Sequence, residues 1–332
     1  MAVGAALMGC DATKTVPEQR VLVPVTWNRV WTAGGTEADT TLLQPWRLAV
    51  GRELVFVADK AGHRIAAFRL SDGGLAWIRG RRGRGPGEFQ LPTALAVDRG
   101  GRLWVADART SRMTLYRPDG SLDASLTLSE FPYPEALCPL EDGSMLVATS
   151  APAEPLFRLS VTGEVIDRMN LPWRDLADAP PLSVQKLLAP TADGCVLALS
   201  LGRGFAVLTE RGGRTHPYVE NLPLPEVEQT VADGGATVTQ RVVDMRTAAT
   251  SVAAHGDEIA ISPGGSGALE NRLVDFYRRS DGTYLRSVST PAPFQRMARA
   301  GDVFLFLTHG DGYPALVAVR PEFGPDTAAA PR

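Results

Sequence analysis

The chain has 332 residues, 44% of them apolar, and a formal net charge of −3. That balance gives no global attraction to nucleic acid or anionic lipid, and after Cys10 no run is long and apolar enough to span a bilayer. With 33 glycines and 25 prolines set among short apolar runs, the composition suits one large all-β domain with many tight turns.

At the N-terminus, Met1 to Gly9 is short and uncharged, and Leu7-Met8-Gly9-Cys10 resembles the lipobox of bacterial lipoproteins. A basic n-region and a full-length apolar core are missing, so either the signal peptide begins upstream or Cys10 is a stray cysteine in an ordinary N-terminus. The resemblance implies cleavage before Cys10, acylation of its thiol and new amino group, and attachment of the following domain to a bilayer by lipid. Asp11 resembles the signal that retains many such lipoproteins at the inner membrane, which implies the periplasmic side of that membrane. Residues 1–26 are thus read as anchor and linker, 27–322 as the folded domain and 323–332 as a tail.

The most informative stretch is 83–120. It runs Gly85-Pro86-Gly87-Glu88-Phe89, Pro92, Ala94-Leu95-Ala96-Val97-Asp98, Gly100-Gly101, Leu103-Trp104-Val105-Ala106-Asp107, Arg112-Met113-Thr114-Leu115-Tyr116 and Asp119-Gly120. Apolar runs of four or five residues, bounded by Gly, Asp or Pro, predict short antiparallel strands joined by tight turns. The unit resembles the NHL repeat, a four-stranded blade of a β-propeller, with Ser111 where that family usually has Asn. Upstream, Asp59 in Val57-Ala58-Asp59 stands 107 − 59 = 48 residues before Asp107, and Gln44-Pro45 precedes one unit as Leu91-Pro92 precedes the next.

Eleven Gly-containing turns follow one another between apolar runs, enough for five blades with two hairpins each and one hairpin over. The blades are placed at 45–80, 90–130, 131–172, 180–222, 240–291 and 292–320. The sixth then has three strands of its own, near 294–298, 303–307 and 315–319. Its missing outer strand is supplied by Trp27-Asn28-Arg29-Val30-Trp31, so the expected fold is an all-β six-bladed β-propeller of four-stranded antiparallel blades, closed by an N-terminal strand. A seventh blade would have to lie in 223–240, which is too polar and short. The linker Asp11 to Thr26 is expected to leave the tight-turn side of blade six, with a reach of at most about 50–60 Å.

Hairpins joining strands one to two and three to four share one face and are short. The long connections, 32–43, 79–90, 171–185, 221–241 and 262–272, share the other, which makes that face the candidate binding surface. On it Arg79, Arg81, Arg82 and Arg84 form the densest basic cluster, read either as a solvated loop or as a site for an acidic protein surface or lipid head groups. Phe131, Tyr133 and Trp173 are candidate aromatic anchors, or packing beneath the loops. Little aromatic surface is interleaved with the arginines and the net charge is negative, which argues against RNA.

No nucleophile elbow, zinc motif or phosphate loop is present. Six-bladed relatives of this kind include lactonases and a peptide-amidating lyase that hold a metal at the central pore, and the best set available for that here is His63 and His309 with Asp59 and Asp311. The scattered histidines fit ordinary loop residues better, and Asp59 and Asp107 fit turn-bonding residues at strand ends. Cys138 and Cys195 are expected as buried free thiols, because they fall at different points along their strands. Two functions remain. One is a non-enzymatic, lipid-anchored platform or accessory subunit of an integral membrane complex (envelope, respiratory or photosynthetic) or other envelope protein, needing no cofactor. The other is a periplasmic propeller enzyme or ligand binder with a pore metal.

Overall fold

A computed structural model describes residues 19–128, 133–150, 154–173, 185–200, 204–209, 212–220, 247–310 and 312–324, with the backbone alone of 226–231 and 238–243. Six four-stranded antiparallel sheets make up the ring. Blade one holds β2 (Pro45–Val50), β3 (Leu54–Asp59), β4 (Arg64–Arg69) and β5 (Leu75–Arg79), hydrogen-bonded in that order. Blades two to four repeat it, with inner strands β6 (Pro92–Val97), β10 (Pro134–Pro139) and β14 (Lys186–Pro190). Blade five opens with β20 (Ser251–His255) and blade six with β24 (Arg296–Ala300). These six inner strands touch their neighbours in a closed circle.

Blade six is completed as the sequence predicts. Its β25 (Val303–Gly310) and β26 (Tyr313–Phe323) are joined by β1 (Val25–Gly34), which pairs with β26 from Val25↔Phe323 to Gly34↔Ala315. Strand one to strand three of the sixth blade therefore comes from the end of the chain and strand four from its beginning. Opposite ends of the sequence meet in one sheet, and no inner edge is left unpaired.

The hydrophobic core is divided among the interfaces between blades. Six clusters of buried side chains lie one at each interface, such as Phe56, Trp77, Phe89 and Tyr116 between blades one and two, and Phe276, Phe294, Phe304 and Phe306 between five and six. Alternation along each strand sends one set of residues to the preceding interface and the other to the following one, so middle strands such as β3 are buried on both sides.

Three sequence expectations are corrected. The segment 221–241 is not a plain loop: β18 (Glu226–Val231) pairs with β19 (Val238–Val243) as a two-stranded hairpin between blades four and five, and blade five begins at Ser251 rather than near 240. Cys138 and Cys195 are joined in a disulfide with Cα atoms 6.4 Å apart. Cys138 ends an inner strand where Cys195 begins β15 (Gly194–Leu199) of the next blade, and the antiparallel reversal brings both to the tight-turn end. The linker also does not simply leave blade six. Val21 and Val23 hydrogen-bond to Ser287 of β23 (Tyr284–Ser289), and Arg20 pairs with Asp275 and Glu220, which ties the segment to the outside of blade five.

Candidate functional site

The sequence motif of blades one and two folds into a repeated clamp. Asp107, 1% exposed, accepts from the N–H groups of Gln90 and Leu91 at 2.7 Å and from those of Arg109 and Thr110 at 3.0 and 2.9 Å. Asp59 does the same work with Leu43, Gln44, Gly62 and the Arg64 guanidinium. Each carboxylate binds the incoming long connection to its own second-to-third-strand turn, so both are structural. His63 and Ser111, again 48 residues apart by 111 − 63, occupy that turn with φ of 49° each. This left-handed conformation is where Asn is favoured, which accounts for the family preference at the position.

The long-connection face divides the predicted residues. Arg79 donates to Gly120 O and Ile78 O and lies over Trp77, so it is spent on the contact with the neighbouring blade. Arg81 is 81% exposed and pairs with Glu88, whose other oxygen accepts from the N–H groups of Arg84 and Gly85. Those bonds hold the Glu88 carboxyl below the usual carboxylate range. Arg82 and Arg84 are exposed. Tyr133 is exposed beside the mouth of blade three, whereas Trp173 packs on the core around the disulfide. Cys10, Phe131 and Asp311 lie outside the described residues.

His309 is exposed and meets Gln295 through Nδ1, and His63 Nδ1 is buried without a partner. No group of three His, Cys, Asp or Glu side chains among the described residues is placed to hold a metal ion.

A different constellation sits on the axis, at the long-connection end of the inner strands. Arg47, Arg296 and Glu135, from blades one, six and three, line a cavity of about 90 Å³ with Thr250 and Ser251 of blade five. Beneath it, Leu48, Leu95, Leu137, Leu188, Val252 and Met297, one from each inner strand, ring the channel. The cavity is therefore a cup over an apolar ring.

The local fold explains how the charged groups come there. In β2, β6 and β10 the pairing skips a residue just after the opening proline, at Trp46, Thr93 and Glu135. Such a bulge re-aims side chains, and in blade three it turns a carboxylate to the axis. Glu135 accepts from Lys186 N–H at 2.8 Å, and the buried Lys186 ammonium donates to Thr149 O at 2.8 Å. Burial pushes the Glu135 carboxyl up to about 7, opposed by that N–H and by the charges of Lys186 and Arg47. Two guanidiniums facing one carboxylate form the wrong donor set for a cation, so the cup does not fit a metal. Sequence reasoning passed over these residues, although a charge in an otherwise apolar inner strand, as in Trp46-Arg47-Leu48-Ala49-Val50, is the feature that marks them.

The fold thus defines a six-bladed β-propeller whose first two blades carry an NHL-like clamp. Agreeing with that, a segment of 45 residues is 38% identical to NHL repeat-containing protein 3 of Mus musculus and 36% identical to its Homo sapiens counterpart. The match covers 14% of this chain and only 13% of the length of those relatives. No protein-family model matches the chain. Similar solved structures include virginiamycin B lyase from Staphylococcus aureus, with TM-score 0.55 at 11% identity over 89% of this chain and 99% of that one. The Cps50 (Swd1) propeller domain of Myceliophteria thermophila gives 0.52 at 14% over 88% and 99%, and Kuenenia stuttgartiensis hydrazine synthase gives 0.52 at 13% over 88% and 98%. At such identities the likeness is one of fold.

Proposed function

We propose that the chain is a non-enzymatic, extracytoplasmic propeller that serves as an interaction platform or accessory subunit of an integral membrane complex, held to the membrane by a lipid on Cys10 and engaging its partner through the long-connection face. The observation that carries this reading is the course of the N-terminal segment. Gln19 and Arg20 line a cavity with Pro263, Gly265, Ser266 and Leu269, in the long connection of blade five. An anchor at Cys10 would thus pull on the same side of the ring as the long connections. From Asp11 to Gln19 the extended reach is about 30 Å, which favours a propeller lying with that face toward the bilayer and whatever is embedded in it.

The Cys138–Cys195 disulfide supports the compartment, since such bonds persist outside the reducing cytoplasm. Exposed Arg81, Arg82 and Arg84 suit an acidic protein surface or lipid head groups at the rim.

The test is extraction of native membranes in mild detergent, size separation, and mass determination of the N-terminus. Migration within a large complex, with an acylated Cys10, is expected, and Cys10→Ser should release the chain from the membrane fraction. Migration alone near 35.5 kDa with an unmodified Cys10 would end this reading.

A further inference from the structure

Like Arg112, the two axial arginines have no carboxylate partner among the described residues, but they alone of these share one cavity on the axis. Arg20, Arg64, Arg102 and Arg299 are partly buried, and each pairs with a carboxylate. Arg47 instead donates to neutral acceptors, Thr93 O at 2.8 Å and Trp46 O at 3.2 Å, and stacks on the Trp46 ring with its guanidinium 4.3 Å from the centroid. Arg296 donates to Gln295 O at 2.8 Å, while its Nε is buried with no partner. Neither forms an ion pair with a carboxylate among the described residues. Blades six and one are adjacent in the ring, so two guanidiniums without an ion pair among the described residues share one small cup with a single carboxyl, that of Glu135.

That arrangement costs stability in the free protein. Taking a charge out of water is penalised, and two charges of like sign repel. Burial, and next the charge of Arg296, pull the Arg47 guanidinium down to about 9 against the opposing charge of Glu135, and burial also lowers that of Arg296. A ring of inner strands built from Leu, Ala and Val could have carried apolar residues here. Retained cost of this kind marks a binding site.

We propose that the axial cup is an anion site, in which Arg47 and Arg296 together bind a single carboxylate or phosphate group presented from the long-connection side. Planar guanidinium forks match such oxygens in pairs. The size of the cup agrees. At about 90 Å³ it has room for roughly three waters, hence for one anionic head group, with the rest of the ligand outside. The Leu48–Met297 ring beneath the cup is apolar, so the charged group is held at the long-connection end of the channel. Glu135, largely protonated below pH 7, offers an O–H to the bound anion rather than a repelling charge. This inference goes beyond the platform reading and does not depend on it.

The experiment uses the purified full-length chain, with inorganic phosphate and acetate titrated separately at constant ionic strength against chloride, read by thermal unfolding and by calorimetry. The expected result is a rise in Tm and one-to-one binding with at least one of the two anions, and which one responds names the head group. Arg296→Met and Arg47→Gln should each weaken that binding at least about tenfold. Should Arg296→Met fail to fold, Arg296→Lys, which keeps the charge and loses the fork, takes its place and should also bind more weakly. No rise with either anion, a rise equalled by chloride, or undiminished binding in the arginine variants overturns the proposal.

Discussion

Asp107 and Thr149 stand at the same place in successive blades, at the ends of the second strands, and their difference shows what one carboxylate does. Asp107 satisfies four backbone N–H groups, whereas the Thr149 hydroxyl, among the described residues, donates to Glu154. Asp107→Ala should therefore cost about 3 kcal/mol or more, and Thr149→Ala nearer about 1 kcal/mol, as read from urea midpoints. Equal losses would deny the clamp its role. Glu135 gives a pH test. Its carboxyl titrates near 4.5 in the unfolded chain and about 7 in the fold, so between those values the native state holds the extra proton. Stability from this group is fully present below pH 4.5 and is lost as pH rises through 7, by roughly 3 kcal/mol. The charges set against it are Lys186 on β14 and Arg47 on β2, with Arg296 on β24 lining the same cup. Glu135→Gln should remove that slope, leaving the variant more stable than the parent at pH 8. A parent and variant with parallel pH profiles would show that the carboxyl is not held protonated.

At the scale of strands and turns, four of the six outer strands lean on a glycine in the next blade. Trp31 lies over Gly73 and donates to Leu70 O, and Trp77 lies over Gly120 and donates to Pro118 O. Leu126 meets Gly163 and His216 meets Gly282 in the same way. A Cβ at Gly120 would come within 2.9 Å of the Trp77 ring, at a φ of 79°. Gly120→Ala is expected to cost about 1–3 kcal/mol from strain and clash, and Trp77→Ala about 3–5 kcal/mol. The two should be less than additive, because without the indole only the backbone strain remains. Strict additivity in a double-mutant cycle would mean that the ring and the glycine are not a lock. Much of this architecture was legible in the sequence, because turns, Val-Ala-Asp strand ends and the Trp27–Trp31 strand are local patterns. The disulfide was not, since it depends on how far two blades turn around the axis. Nor was the hairpin of β18 and β19, whose Glu-Val-Glu-Gln-Thr-Val alternation is too polar to announce a core strand. The axial arginines escaped because they meet each other and Glu135 only at the axis, from three different blades, and a motif read along one blade cannot find that.

For the molecule as a whole, the ring is held shut at two points that are far apart in sequence. The disulfide closes a loop of 57 residues between blades three and four, worth about 4 kcal/mol by chain entropy, so reduction or Cys195→Ala should lower the Tm without opening the fold. Strand β1 carries more. Trp27 packs edge-on against Phe304 and Phe306, Trp31 is 7% exposed over blade one, and the strand covers all of β26. The buried Trp31 at about 3–5 kcal/mol, together with the half-buried Trp27, is already a large share of the 5–15 kcal/mol total of an ordinary domain. Deleting residues 1–34 should therefore abolish cooperative unfolding and leave β26 as an open edge that recruits other chains, seen as aggregates on size exclusion. Arg20→Met should lower the Tm, because Asp275, 2% exposed, loses its guanidinium partner. If the 1–34 deletion stays monomeric with the parental Tm, closure rests on the contacts between inner strands and not on the joining of the two chain ends.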